Sequence, residues 1–310
     1  MRQRFLTLLV IAVMVVMAMP AQQTHCGHCA NGHEQCEKTI LKGDDAVMWA
    51  KQHVGELMAN YLESAGNKLD PDELRKQFAP IGYDGSDVPS YRAAEKWLVD
   101  TVYRYMMKRA INNGNRSITI LTGPGGAGKS TSTKNMDFSG EGLLYDSALN
   151  SYESLKKVVD KAYAGGMNDI KVIAFYNDIE TCFYNSVKRG KATKRFLGIS
   201  YLTNAFRSNA DKIKLLRNNY PKVKVSAIDN NHNNGGTPVT PDEAEKWDFT
   251  VSADQLNHML VYVLNDVYQN QLNAEQLRSI ATDIPNLQGM NDTGKVIAKE
   301  IERQMTLNQQ

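Results

Sequence analysis

Cysteine is scarce: four in 310 residues, far below what a disulfide-built scaffold needs. Nine prolines and 22 glycines are too few for a collagenous chain, and 42% hydrophobic residues with 23% charged is too apolar for a disordered one. A strong charge of one sign is also missing. The formal net charge is +2, which excludes a chain whose whole surface seeks nucleic acid. No internal repeat is visible. No apolar run reaches the roughly 20 residues of a comfortable membrane span. What remains is ordinary globular composition, long enough for one large domain or two modest ones.

The longest apolar run, about fifteen residues over 5–19, follows Arg2 and Arg4 and ends at Pro20-Ala21. This reads as a signal peptide over residues 1–21, cleaved near Ala21, with a retained membrane anchor as the alternative. The expected location is therefore exported, periplasmic or anchored through the N-terminal segment. It becomes cytoplasmic if the start is internal, as at Met48. Residues 22–43 form a Cys/His-rich linker. Three of the four cysteines and three of the six histidines fall between 25 and 36. Cys26, Cys29, His33 and Cys36 are a ligand set that a short loop can wrap around Zn²⁺ or Cu(I), the alternative being a disulfide in an exposed linker. No small-apolar lipidation signal precedes Cys26. Cys182 lies in an apolar helical stretch and reads as a small buried side chain.

From Asp44 the periodicity is helical. Val47, Ala50, Val54, Leu57 and Tyr61 recur at three-and-four spacing and predict a helix of about five turns. Asp70-Pro71-Asp72-Glu73 predicts an N-cap and first turn of a short helix, and residues 91–111 a longer one. Residues 44–113 thus read as an all-α extension with no chemistry written in it. After Gly114 the pattern becomes strand, turn, helix. Strands are expected at 117–122, 142–145, 170–176 and 223–228, with helices at 152–164, 179–188 and 199–218 and a helical end from 241. The fold class is α/β: a parallel sheet of P-loop NTPase type over 114–310, with helices on both faces and helical N- and C-terminal extensions.

Directly after the first of these strands comes Gly123-Pro124-Gly125-Gly126-Ala127-Gly128-Lys129-Ser130-Thr131, a complete P-loop pattern. Glycines let backbone N–H groups close around phosphate oxygens, Lys129 reaches the β- and γ-phosphates, Ser130 holds Mg²⁺, and Thr131 assists. The expected cofactors are therefore ATP or GTP with Mg²⁺. The helix after the loop is interrupted after barely two turns by residues 136–142. Phosphoryl transfer also needs a carboxylate and cations. Asp146 ends the second strand beside Ser147, where α/β sheets hold ligands, while Asp178 is equally suited to capping the next helix.

Eleven Lys or Arg lie between 188 and 224 against one acid, Asp211. A charge run is ordinarily a solvated helical face. Arg189 and Arg195, at a helix end and in a Gly/Lys/Thr loop, suit a lid that brings guanidiniums to phosphate. Phe183, Tyr184, Phe196 and Tyr201 fall at core-like positions, so no stacking platform for nucleic acid is expected. Asp229 and Asn230 end the last strand, where contact with adenine or ribose and simple turn formation are both adequate.

Taken in order, the P-loop, Leu144-Tyr145-Asp146-Ser147, Phe175-Tyr176-Asn177-Asp178, the Arg189 and Arg195 pair and Ile228-Asp229-Asn230 resemble the zeta toxin family of P-loop small-molecule kinases. The likeness covers about residues 118–231, a little over a third of the chain. It implies ATP- or GTP-dependent phosphorylation of a small-molecule hydroxyl such as that of a UDP-sugar, with Asp146, Arg189 and Arg195 as catalytic residues and an antitoxin-like protein as partner. The acidic base of that family, carried between the P-loop and the next strand, has no clear counterpart. Asp137 or Asp146 substitutes for it, or it is gone. The alternative readings are a nucleotide-binding regulatory or adaptor module without transferase activity, and an exported metal-binding protein on the same scaffold.

Overall fold

The first helix expected from the sequence does not run through. In the computed structural model, which describes residues 39–231 and 236–307, it divides into α1 (Gly43–Gln52) and α2 (Val54–Ala65). At the break, His53 stacks on Trp49 and its Nδ1 lies 2.8 Å from the Trp49 carbonyl that its own backbone N–H also reaches. A side chain that shares the i−4 carbonyl weakens the helical ladder at that turn.

The stretch expected to be all-α contains a strand, β1 (Lys68–Leu69). It is followed by the short helix α3 (Pro71–Arg75), whose N-cap Asp70 accepts from the N–H groups of Asp72 and Glu73 as its sequence predicts. The long helix α4 (Val88–Asn112) starts at Asp87, which accepts from Ser90, and buries Tyr91, Ala94, Leu98, Val102 and Met106 along one stripe.

Five more strands complete the sheet: β2 (Ser117–Thr122), β3 (Leu143–Asp146), β4 (Asp169–Tyr176), β5 (Lys224–Asp229) and β6 (Thr237–Val239). Their order is β1-β3-β2-β4-β5-β6, parallel throughout except for β6, which runs antiparallel to β5 and has no counterpart in the sequence expectation. β2 lies between β3 and β4, and its residues after Ser117 are all buried, the signature of a central parallel strand covered on both faces. Side-chain alternation divides the core. Ile118, Ile120, Leu143 and Tyr145 join a cluster with Leu98, Val102 and Leu155, whereas Leu121, Leu144 and Phe175 join one with Phe183, Leu202 and Leu256.

The remaining helices are α5 (Lys129–Ser132), α6 (Tyr152–Ala164), α7 (Ile179–Thr193), α8 (Ile199–Arg207), α9 (Lys212–Asn219), α10 (Pro241–Ala244), α11 (Ala253–Tyr268), α12 (Ala274–Ala281) and α13 (Asp292–Leu307). The single helix expected over 199–218 is thus two, broken where Asp211 takes a left-handed backbone at φ 56°. Among the described residues no helix is long and apolar enough to cross a membrane. The leader at 1–21 and the Cys26, Cys29, His33 and Cys36 set lie outside the described residues.

Residues from Thr39 onward form one compact unit, so the stretch 44–113 is not set apart from the P-loop region. Leu69, fully buried on β1, packs in the same cluster as Ile118 and Tyr145. Truncation of Leu69 to Ala is expected to cost about 2–5 kcal/mol and to shift one cooperative unfolding transition read by circular dichroism and by tryptophan fluorescence. Separate transitions for residues 44–113 and for the rest would overturn this integration.

Candidate functional site

The P-loop leaves β2 at the centre of the sheet's carboxyl edge and is wedged between its neighbours. A Cβ on Gly126 would lie 2.1 Å from the Cys182 carbonyl oxygen, and φ there is +81°. Only glycine fits that approach. Two asparagines hold the loop by its carbonyls: Asn185 Nδ2 donates to Gly126 O at 2.9 Å, and Asn230 Nδ2 donates to Ala127 O at 2.5 Å. Ser132 Oγ in turn donates to Asn230 Oδ1 at 2.8 Å. Among the described residues, nothing accepts from the N–H groups of Gly125, Gly126, Gly128, Lys129 or Ser130. A concave run of free amides is an anion cradle.

Lys129 is half-buried and bridges the loop, donating to Gly123 O at 3.1 Å and Pro124 O at 3.5 Å. Burial pulls its ammonium below the usual lysine range. Ser130 and Thr131 stand exposed at the rim. Leu197, the Cys182 carbonyl and Asn230 already fill the places where side chains on Gly125, Gly126 and Gly128 would begin, so these glycines let the loop pack closely on its neighbours, and Ser130 offers a rim hydroxyl that would suit Mg²⁺. Among the described residues there is no group of three or more His, Cys, Asp or Glu that could hold a metal ion by itself.

Gly125 to Thr131, Asp146, Arg189 and Arg195 all line one cleft of about 970 Å³. Gly123 is buried at the loop's stem. The far wall is built by the N-terminal segment, whose sequence pattern carries no chemistry of its own. Lys68 Nζ pairs with the buried Asp146 at 2.7 Å and with Asp70 at 3.3 Å. Burial opposes the Lys68 charge, but Asp146 and Asp70 outweigh it and hold the ammonium above its ordinary value. Burial, then the Asp146 charge, raises the Asp70 carboxyl. Asp72 binds Arg195, lies 3.3 Å from Arg189 and 3.4 Å from Arg75. Arg75 itself is buried and bidentate on Glu95, at 2.6 and 2.7 Å.

Other candidates from the sequence resolve into local structure. Asp178 caps α7 by accepting from Thr181 N at 2.8 Å, and Asp229 accepts from Asn231 N at 2.8 Å. Asp137 accepts from Ser139 N and lies outside the cleft lining. Cys182 is buried, as its setting predicts. Tyr201 departs from expectation. It is 49% exposed on the cleft wall, where its hydroxyl accepts from Asn150 Nδ2 at 3.4 Å. Lys68, Asp72, Asn185 and Asn230 carry no sequence signal of their role beyond the cap motif at Asp70. No family model matches the chain, and no curated protein matches it.

Burial pushes the Asp72 carboxyl up, but Arg195, Arg75 and Arg189 outweigh it and hold it below the ordinary range. A depressed carboxylate stabilises the fold above its unfolded pKa, about 3.9, and loses that contribution as pH falls through the folded value. Asp72→Asn is therefore expected to lower stability at pH 7 by no more than about 1 kcal/mol, because the group is partly exposed. The difference from wild type should shrink as pH falls below the unfolded value of about 3.9 and through the lower folded one. Urea titrations across that range check it, and a difference that grows in acid would contradict the ion-pair assignment.

Proposed function

We propose that the protein is a P-loop NTPase-type small-molecule kinase, resembling the zeta toxin family in the order of its motifs. One observation carries this reading: a loop with five free amides and a bridging lysine opens onto a cleft that also holds a buried carboxylate and two arginines. Amides and ammonium recognise phosphate oxygens, a carboxylate recognises an acceptor hydroxyl, and guanidiniums complement the charge of a transferred phosphoryl group.

In this reading the free amides of Gly125, Gly126, Gly128, Lys129 and Ser130, with the Lys129 ammonium, bind the β- and γ-phosphates of ATP or GTP, and Ala127, whose N–H donates to Pro124 O, shapes the loop between them. Lys129 exchanges the carbonyls of Gly123 and Pro124 for phosphate oxygens, and the phosphate charge offsets its burial. Ser130 holds Mg²⁺, which when bound neutralises charge between the phosphates. Asp146 orients or deprotonates the acceptor hydroxyl, and the Lys68 contact fixes the direction of its carboxylate. Arg189 and Arg195 turn from Asp72 to the phosphates when the nucleotide enters. The acceptor is a small molecule such as a UDP-sugar, and an antitoxin-like protein is the partner class this reading brings with it.

A second reading has its own support. Asp146 is paired with Lys68, and both arginines contact Asp72. A site whose charged groups are already paired suits a regulatory module that binds nucleotide without transferring it.

The deciding assay gives the full-length chain Mg²⁺, ATP labelled at the γ-phosphate and a panel of UDP-sugars, with Lys129→Ala alongside. The kinase reading expects label in the acceptor and a loss of about 10²-fold or more in the variant. Transfer that survives Lys129→Ala sinks it, and nucleotide bound without transfer favours the second reading.

A further inference from the structure

Lys212 is 3% exposed, and its ammonium sits where three segments of the cleft meet. Nζ donates to Thr122 Oγ1 at 2.9 Å, to Leu149 O at 3.0 Å and to Asn209 Oδ1. Three N–H donors meet three oxygens one to one. None of the ion pairs among the described residues involves Lys212. Burial, and after it the like charge of Lys129, presses the ammonium well below its ordinary value. A cation buried without a counter-charge is costly, and an apolar side chain of the same length would fill this space at less cost. Its value must lie in what it holds.

The three partners belong to three segments that border the cleft: Leu149 lines it, and Thr122 and Asn209 lie just behind residues that do. Thr122 is the last residue of β2, the stem of the P-loop. Leu149 is in the segment after Asp146, at φ +42°, a backbone conformation that leucine rarely adopts. Asn209 follows α8, whose Ala205 carbonyl accepts from Asn209 Nδ2 at 2.7 Å. Stem and rim are further joined by Gly123 N donating to Ala148 O at 3.0 Å, and Thr122 Oγ1 lies 3.0 Å from the same carbonyl. Asp146, Ser147, Leu149 and Asn150 all line the cleft, and so does Ala205.

We propose that Lys212 is a positioning residue, an ammonium brace that fixes the rim after Asp146 and the end of α8 against the stem of the P-loop. It acts through Thr122, Leu149 and Asn209 and touches neither nucleotide nor acceptor. Its consequence for phosphoryl transfer rests on the kinase reading; the brace itself does not.

Lys212→Met, similar in length and without charge, tests both in the full-length chain. Hydrogen exchange is expected to accelerate at least tenfold at the amides of Gly123 and Ser147, while amides of β4 and β5 keep their protection. With labelled ATP and an acceptor, kcat is expected to fall at least tenfold with a smaller change in KM. Lys212→Arg, which keeps charge and donors, should recover part of that loss. Unchanged exchange at Gly123 and Ser147, or acceleration spread evenly through the sheet, overturns the brace. If Lys212→Met does not fold, Thr122→Val and Asn209→Ala each remove one partner and are expected to accelerate the same amides; failure of both to do so is equally decisive. A wild-type chain that binds no nucleotide removes the kinase reading, and the exchange measurement still decides the brace.

Discussion

The constraint on which the site depends is the approach of the P-loop to α7 and to the end of β5. A loop that turns several amides toward one point gathers like dipoles, and it holds that shape only if its carbonyls are bound from outside. Asn185 and Asn230 bind two of them, and Gly126 lets the loop come up against the Cys182 carbonyl. Both asparagines stand on ordered backbone: Asn185 projects from α7, and Asn230 has its backbone N–H donating to Tyr176 O at 2.9 Å. The sheet and its helices therefore set the shape of the loop, and in the proposed reading that would lower the ordering cost of binding an anion.

The opposite wall obeys different physics. There the charged groups are matched with each other: Lys68 with Asp146, and Arg189 and Arg195 with Asp72. In the proposed kinase reading the terminal phosphate of a nucleotide, which carries more negative charge than a carboxylate, would compete with Asp72 for the same guanidiniums. At an effective dielectric of about 20, each additional unit of charge at 4 Å is worth about 4 kcal/mol before desolvation is counted. On that reading Asp72 would keep the arginines gathered at the cleft until phosphate replaces it.

Much of this is legible in the sequence, because the P-loop is a local pattern and Asp146 ends a strand that comes soon after it. Arg189 and Arg195 stand out as a pair near a helix end. Their partner does not, since Asp72 lies more than a hundred residues earlier and reads completely as the first turn of a capped helix, which it also is. Lys212 is hidden differently. It is one of eleven cations in a run whose ordinary meaning is a wet helical face, and nothing in composition separates the one buried member from its exposed neighbours. Tyr201 shows the reverse error, an aromatic at core-like spacing that faces the cleft. Periodicity reports which face a residue occupies; it carries no information on what lies across from that face.

The same limit explains why residues 44–113 read as an extension. The P-loop helix is short, four residues of α5 and a 3-10 turn through Asn135, and the chain then runs through a loop into β3. Without β1, β3 would be the edge of the sheet, and the loop before it has carbonyls that need partners. The N-terminal segment answers both needs. β1 pairs along β3, Leu144 N donates to Asn67 O at 2.9 Å, and Asn67 Nδ2 donates to the carbonyls of Phe138 and Glu141 at 3.1 and 2.9 Å. The Tyr61 hydroxyl, accepting from Asp70 N at 2.7 Å and donating to Lys68 O at 3.1 Å, fixes the turn that carries Asp70 and Asp72 into the cleft and sets Lys68 against Asp146. One short stretch, residues 61–72, thus closes the sheet and completes the cleft wall.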